Sequence, residues 1–466
     1  MERPSTAAAL PVAAACLLVV AALVAAVTPG TAQTNAGTEV TFDRPVPDSL
    51  SFETPSDAGV ARVDGESYES VQAAVDAATS GDEVVLSGRF DLDGPVRVET
   101  ANVTITSAGD ERALLWGDGE GRVLVVNATG VTLDRVWVAN SGYSADENDA
   151  AVWLTGVAHR TRVRDSRVTD ATFGIWVDGA REVQLVNNAV VGRESIASRT
   201  ERGNGIQLWR AENAVVRDNR ITDARDGIYY SWASDVVATN NTLWDLRYGV
   251  HYMYSDDCRL VNNTAFDNDA GYALMLSKRL AILNNTAVNN HGGSGHGIMV
   301  KGIDQTTIRG NHVVGNHQGL FVFNSLDNDV THNLVAGNDV GVHLAAGSVK
   351  ERVHHNTFVR NDVAVQASIS QQVAWNGSTA GNYWGGTWPA DTDDDGVSEV
   401  RHRPAGVVQQ LTRTTPATRV FAGSPAFDVL RRAESTLPVV ETPGVVDHHP
   451  LTDPPHDWRR YYARTT

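Results

Sequence analysis

Apart from its initiator, this 466-residue chain carries only three methionines, Met253, Met275 and Met299. Histidine is just as unevenly distributed: thirteen of the fourteen lie at or beyond His251, two of them in the glycine-rich segment His291-Gly292-Gly293-Ser294-Gly295-His296. Thioether sulfur with imidazole nitrogen suits copper, and Cu(I) in particular, because a soft ion prefers soft donors; zinc would more often recruit cysteine, and calcium needs oxygen. The candidate ligands are His251, Met253, Met275, His291, His296 and Met299. Together with Phe321 and Phe323, the same methionines would also make an adaptable apolar docking surface. The two readings are compatible, since a carrier must both hold its ion and hand it over.

A second chemistry is written into Asp391, Asp393, Asp395 and Glu399. Their alternating oxygens have the spacing of a calcium loop, and a plain acidic turn is the equal alternative.

These residues must be positioned by a repeat. Asn188, Asn219, Asn241, Asn263, Asn285, Asn311, Asn333 and Asn356 recur at about 22 residues, and Gly174, Gly205, Gly227, Gly249, Gly271, Gly297, Gly319 and Gly341 keep step with them. The longer intervals, 31 and 26, are shared by both series, so they are loops lengthened within a coil. Val, Ile and Thr alternate with polar residues and are broken by Gly, Asn and Asp, which is strand-and-turn chemistry rather than a leucine-rich helical arc. A repeat of this length cannot bury its own apolar face and must stack on neighbours. The expectation is an all-β, right-handed parallel β-helix solenoid over 61–378, with an N-terminal capping helix from Ser67 to Thr79 and an irregular C-terminal extension over 379–466.

Counting from each glycine sorts the strand residues by face. Ile228/Tyr230, Val250/Tyr252, Tyr272/Leu274, Ile298/Val300, Leu320/Val322 and Val342/Leu344 are uniformly apolar and point inward. Tyr229/Ser231, His251/Met253, Ala273/Met275, Met299/Lys301, Phe321/Phe323 and His343/Ala345 point outward. Met253 and Met275 therefore stack on adjacent coils, roughly 4.8 Å apart, with Met299 two residues out of step on the same face.

Acidic residues outnumber basic ones 56 to 38, for a net charge of −18, which argues against nucleic acid or anionic lipid as a partner. Only three basic residues are lysines. This acidic, arginine-rich usage resembles that of proteins from salt-loving organisms. The apolar stretch 7–27 followed by small residues reads as a secretory signal over 1–32, cleaved near Ala32, with an uncleaved anchor as rival. Either way the body is expected outside the cytoplasm. Cys16 would leave with the signal, so Cys258 has no partner for an internal disulfide. Residues 33–60 read as a linker, Ser424-Pro425 as a helix start, and the tail from Leu437 to Pro455 as extended chain.

Several phrases resemble the NosD family: Gly205-Ile206-Gln207-Leu208-Trp209, Arg225-Asp226-Gly227-Ile228, the run from Arg247 to Ser255, Ala273-Leu274-Met275-Leu276-Ser277-Lys278 and Gly297-Ile298-Met299-Val300-Lys301. Gly381-Asn382-Tyr383-Trp384 and Pro443-Gly444-Val445-Val446-Asp447 extend the likeness. The resemblance implies an extracytoplasmic copper-binding β-helix protein, not an enzyme. Its implied partners are an ABC transporter permease with its ATPase, a copper chaperone, and nitrous oxide reductase as recipient. The rival is a β-helix polysaccharide lyase or hydrolase acting on uronate polymers. Asp256-Asp257-Cys258 and Gly295-His296-Gly297 resemble pieces of such a site, but they fall at different phases of the coil.

Overall fold

The computed structural model describes residues 40–46, 50–387, 390–405, 411, 415–421, 424–436 and 443–462. The expected signal, its cleavage site and Cys16 lie outside them. Among the described residues no helix is long and apolar enough to cross a membrane.

Each coil lays one short strand on each of three sheets, of 14, 13 and 12 strands, and beyond an antiparallel start at Val60–Val63 and Glu66–Tyr68 the strands pair in parallel with those a full coil later. The result is a parallel β-solenoid of about 13 turns. The inward residues named above, from Ile228 and Tyr230 to Val342 and Leu344, all lie in one continuous interior cluster. Tyr230 and Tyr252 stack inside it with ring centroids 4.1 Å apart. Cys258 is a free, fully buried thiol in the same core.

The asparagines of the repeat are buried inside the corners rather than exposed on them. Each donates its Nδ2 to the Oδ1 of the next, from Asn188 to Asn219 at 3.0 Å through to Asn356 and Asn382 at 2.8 Å. Each also satisfies backbone groups: Asn263 Nδ2 donates to Ala238 O, while its Oδ1 accepts from Asn241 N. A second ladder runs through Asn268, Asn290, Asn316, Asn338 and Asn361. A side chain that both donates and accepts can repeat indefinitely along an axis, and so stands in for disulfides as the clamp between coils.

The ends close the ladder. At the C-terminal end Asp447 takes the acceptor role, its Oδ2 receiving Asn382 N at 2.7 Å and Trp384 Nε1 at 2.9 Å. Gly444–Asp447 lies between His402–Ala405 and Gln372–Ala374 in a small sheet. Ser424 caps the helix Pro425–Thr436, as its sequence signals. At the N-terminal end the capping helix is shorter than expected, Val71–Ala77, with Ser70 as its cap. Glu66–Tyr68 instead pairs back on Val60–Val63. The cause is Asp64-Gly65, both at positive φ, a tight hairpin turn whose Asp-Gly signature outranks helical periodicity. Val40, Phe42, Val46 and Leu50 pack with Trp244, Phe266, Tyr461 and Tyr462 on the 13-stranded sheet, so the first and last of the described residues meet on one flank.

Candidate metal centre

The outward face of the 12-stranded sheet carries the expected donors. Met253 pairs in register with Met275, and Met299 lies between Ala273 and Phe321 on the neighbouring column. None of the three belongs to the interior cluster. Met253 and Met275 are half-buried, whereas Met299 is 6% exposed and covered by its neighbours on the face. One rung and two residues from Met275, Met299 stands on the diagonal, a separation that long side chains span.

His251 is held by a device that the repeat pattern does not announce. Its Nδ1 is 2.9 Å from Oδ2 of Asp226, one coil earlier, and Arg247 grips the same carboxylate through Nε at 2.8 Å and Nη2 at 2.6 Å. Burial alone would raise the Asp226 carboxyl, but the bonds and charges of His251 and Arg247 outweigh it and keep Asp226 ionised below its ordinary range. A carboxylate only accepts, so His251 Nδ1 carries a proton, and the neutral tautomer of that ring has its lone pair on Nε2. That Nε2 is buried and has no hydrogen-bond partner. Histidine ligands to metals are oriented by second partners in the same way.

His296 lies two rungs on, at the start of its strand, and its buried Nδ1 is likewise without a partner. Burial, reinforced by His343 and His317, pushes its pKa down to about 4, so the ring is neutral at ordinary pH. On the rung between, Ala270 pairs with Tyr248, and Ala273 pairs with His251 on one side and Met299 on the other. The structure thus brings together His251, Met253, Met275, His296 and Met299 on one face. It does not bring His291 to them. That residue is exposed in the loop leading into the strand that His296 begins, near Asp267, because Gly292 folds against Asp269 and Gly295 N bonds to Asp269 O.

An apolar ridge borders the methionine pair. Trp232, Tyr254 and Leu276 follow Ser231, Met253 and Met275 in the chain; they are 56%, 45% and 44% exposed and have φ of 56, 52 and 49°. Trp232 and Tyr254 stack at 4.7 Å. Bulky residues in the left-handed region are uncommon and costly, and they concentrate where function requires them.

The fragments of the rival enzyme site are engaged elsewhere. Asp257 is bound by Arg279 at 2.7 and 2.6 Å, Asp256 lies 3.8 Å from Lys278, and Cys258 is in the core. Among the described residues, the only trio of histidine, cysteine or acidic groups whose ligand atoms converge is Asp391, Asp393 and Asp395. Asp391 keeps one buried oxygen without a partner, a donor set suited to a hard cation such as calcium. Glu399 does not join them, because it accepts from Thr392 N and Oγ1 at 3.0 and 2.6 Å.

Residues 186–387 match the family model described as periplasmic copper-binding protein (NosD). The chain is 39% identical over 379 residues to a probable ABC transporter binding protein NosD of Pseudomonas aeruginosa, covering 78% of this chain and 86% of that one. The chain belongs to the NosD family. A second NosD relative, from Stutzerimonas stutzeri and bearing the same description, is 36% identical over 78% of this chain and 84% of its own length. Among solved structures the A-module of a mannuronan C-5 epimerase from Azotobacter vinelandii aligns with a TM-score of 0.51 at 14% identity, over 64% of this chain and 90% of that one. That likeness concerns the solenoid alone. All the donors of the methionine face fall within the span matched by the NosD model.

Proposed function

We propose that this protein is an extracytoplasmic copper carrier that works beside an ABC transporter, receives Cu(I) from a chaperone and supplies the copper centres of nitrous oxide reductase. The observation that carries the reading is the pair of buried, unpartnered imidazole nitrogens on His251 and His296, set on the same outward face as the stacked thioethers of Met253 and Met275. Leaving such atoms bare costs about 1–3 kcal/mol each, a cost that a bound ion would remove. Sulfur with neutral imidazole fits Cu(I). The half-buried methionine pair is the place where a donor would offer the ion, Met299 lies on the diagonal from it, and the histidines hold the ion more deeply. The strained Trp232, Tyr254 and Leu276 ridge is where the exchanging partner docks.

The test is an anaerobic Cu(I) titration of the mature chain with a chromophoric competitor, read in parallel by native mass spectrometry. Met253→Ala with Met275→Ala is expected to weaken Cu(I) retention at least tenfold at an unchanged melting temperature. His251→Ala is expected to weaken it further. Wild-type retention in both variants would remove the site from this face. Release of unsaturated or shortened products from uronate polymers by the purified protein would favour the enzyme reading instead.

A further inference from the structure

A second group of imidazoles stands at another corner of the solenoid. Where each coil passes from the 14-stranded to the 13-stranded sheet it turns through a left-handed residue: Asp165, Asn187, Asp218, Asn240, Asn262, Asn284 and Gly310 occupy successive coils. These are the types that tolerate that conformation. On the next two coils the position is taken by His332 (φ 52°) and His355 (φ 54°), whose rings lie parallel with centroids 5.0 Å apart. His354, the residue before, sets its Nδ1 2.8 Å from the Nδ1 of His355 and its Nε2 3.1 Å from Asp329 Oδ1. Thr331 Oγ1 is 2.8 Å from His332 Nδ1 and 3.3 Å from His354 Nδ1.

The hydrogen bonds fix the chemistry. Asp329 accepts, so His354 carries a proton on Nε2, and the neutral tautomer of that ring has its Nδ1 lone pair turned toward His355. That is the carboxylate–histidine arrangement which orients metal ligands. Two nitrogens bound at about 2.0–2.1 Å and at right angles to each other would stand about 2.9 Å apart, close to the separation already present. Burial first, and then the neighbouring imidazoles, lower the pKa of both His332 and His355. The three methionines are all on the 12-stranded sheet, so this group offers nitrogen without sulfur. Nitrogen donors favour borderline divalent ions over Cu(I).

We propose that His332, His354 and His355, oriented by Asp329, form a site for a divalent ion of the Cu(II) and Zn(II) class, separate from the methionine face. His354 and His355 supply an adjacent pair of ligands. His332, one rung away, supplies the third after rotation of its ring, and water completes the shell. The proposal does not depend on how the methionine face is used.

Cu(II) and Zn(II) are the probes, added singly to the mature chain and followed by calorimetry and, for copper, by electron paramagnetic resonance. The test variant is His354→Gln with His355→Asn; asparagine is the residue this corner uses elsewhere, so the turn is retained. Wild type is expected to bind one Cu(II) with nitrogen hyperfine structure. The double variant should lose at least a hundredfold in affinity at an unchanged melting temperature. Asp329→Asn should lose about tenfold, and Met253→Ala with Met275→Ala should lose nothing. Equal Cu(II) affinity and the same nitrogen pattern in wild type and in the double variant would overturn the site. So would failure of the wild type to bind either ion.

Discussion

The asparagine corners and the outward face of the 12-stranded sheet belong to the same coils, yet they obey opposite rules. At the first corner one residue type recurs on nine consecutive coils, from Asn188 to Asn382, because each must donate to one neighbour and accept from another. On the outward face the matching position reads Tyr229, His251, Ala273, Met299, Phe321, His343, with no two neighbours alike. Where the solenoid dictates the residue, substitution should be costly and uniform in its effect. Where it does not, the residue present reflects what the protein handles.

The largest effect is expected inside the ladder. Asn263→Ala would strip partners from Asn241 N, Asn241 Nδ2 and the carbonyl of Ala238. With about 1–3 kcal/mol for each group left bare, the loss should reach about 4 kcal/mol in urea unfolding. A loss below about 1 kcal/mol would mean that the ladder ornaments the corners instead of clamping them. Acid offers a second probe. His296, His312 and His402 each have a pKa pushed down to about 4, chiefly by burial. A depressed folded-state pKa means that the unfolded chain takes up protons first. Stability should therefore be level above the unfolded value near 6.5 and fall as pH drops from there through about 4. A melting temperature that stays level down to pH 4 would contradict this.

On the outward face the effects should be smaller, with Asp226 as the exception that sharpens the contrast. It serves that face through His251, yet its side chain is only 1% exposed and binds both Arg247 and His251. Asp226→Asn should cost about 2 kcal/mol, below the usual price of breaking a fully buried pair because Arg247 can reach water. It should also release the tautomer of His251, visible as a shift in its ring-nitrogen resonances. If those resonances do not move, the carboxylate does not orient the ring.

The sequence makes the regular region almost wholly legible and the irregular one only in part. The period, the inward columns and the register of Met253 on Met275 all follow from counting, because parallel pairing one coil apart preserves offsets from the glycines. The second ladder was equally countable, five residues after the first at Asn268, Asn290, Asn316, Asn338 and Asn361, but it hides among the other asparagines. The grip of Asp226 and Arg247 on His251 could not be counted. It joins residues one coil apart at unequal offsets, so it depends on side-chain rotamers, not on period. His291 misled for a related reason: a glycine-rich loop has no register, and this one is drawn to Asp269, in the turn before the neighbouring strand. The hairpin at Asp64-Gly65 shows the same limit at the N-terminal end, where a two-residue turn overrides a helical pattern.

The smallest effect should be the most discriminating. Leu276 is 44% exposed with φ 49°, and on following coils the same corner is filled by Gly302 and Asn324, the residue types that tolerate positive φ. If Leu276 serves the solenoid, replacing it should weaken the fold; if it serves a partner, the fold should be indifferent or improve. Leu276→Asn relieves left-handed strain and removes little buried surface, so stability should rise by up to about 1 kcal/mol. Exchange of Cu(I) with a donor protein should slow, while equilibrium retention by the isolated chain stays at the wild-type level, because Leu276 contributes no ligand. A fall in stability above about 1 kcal/mol would make the ridge a structural element of the corner, and the line drawn between the two regions would then have to move outward past it.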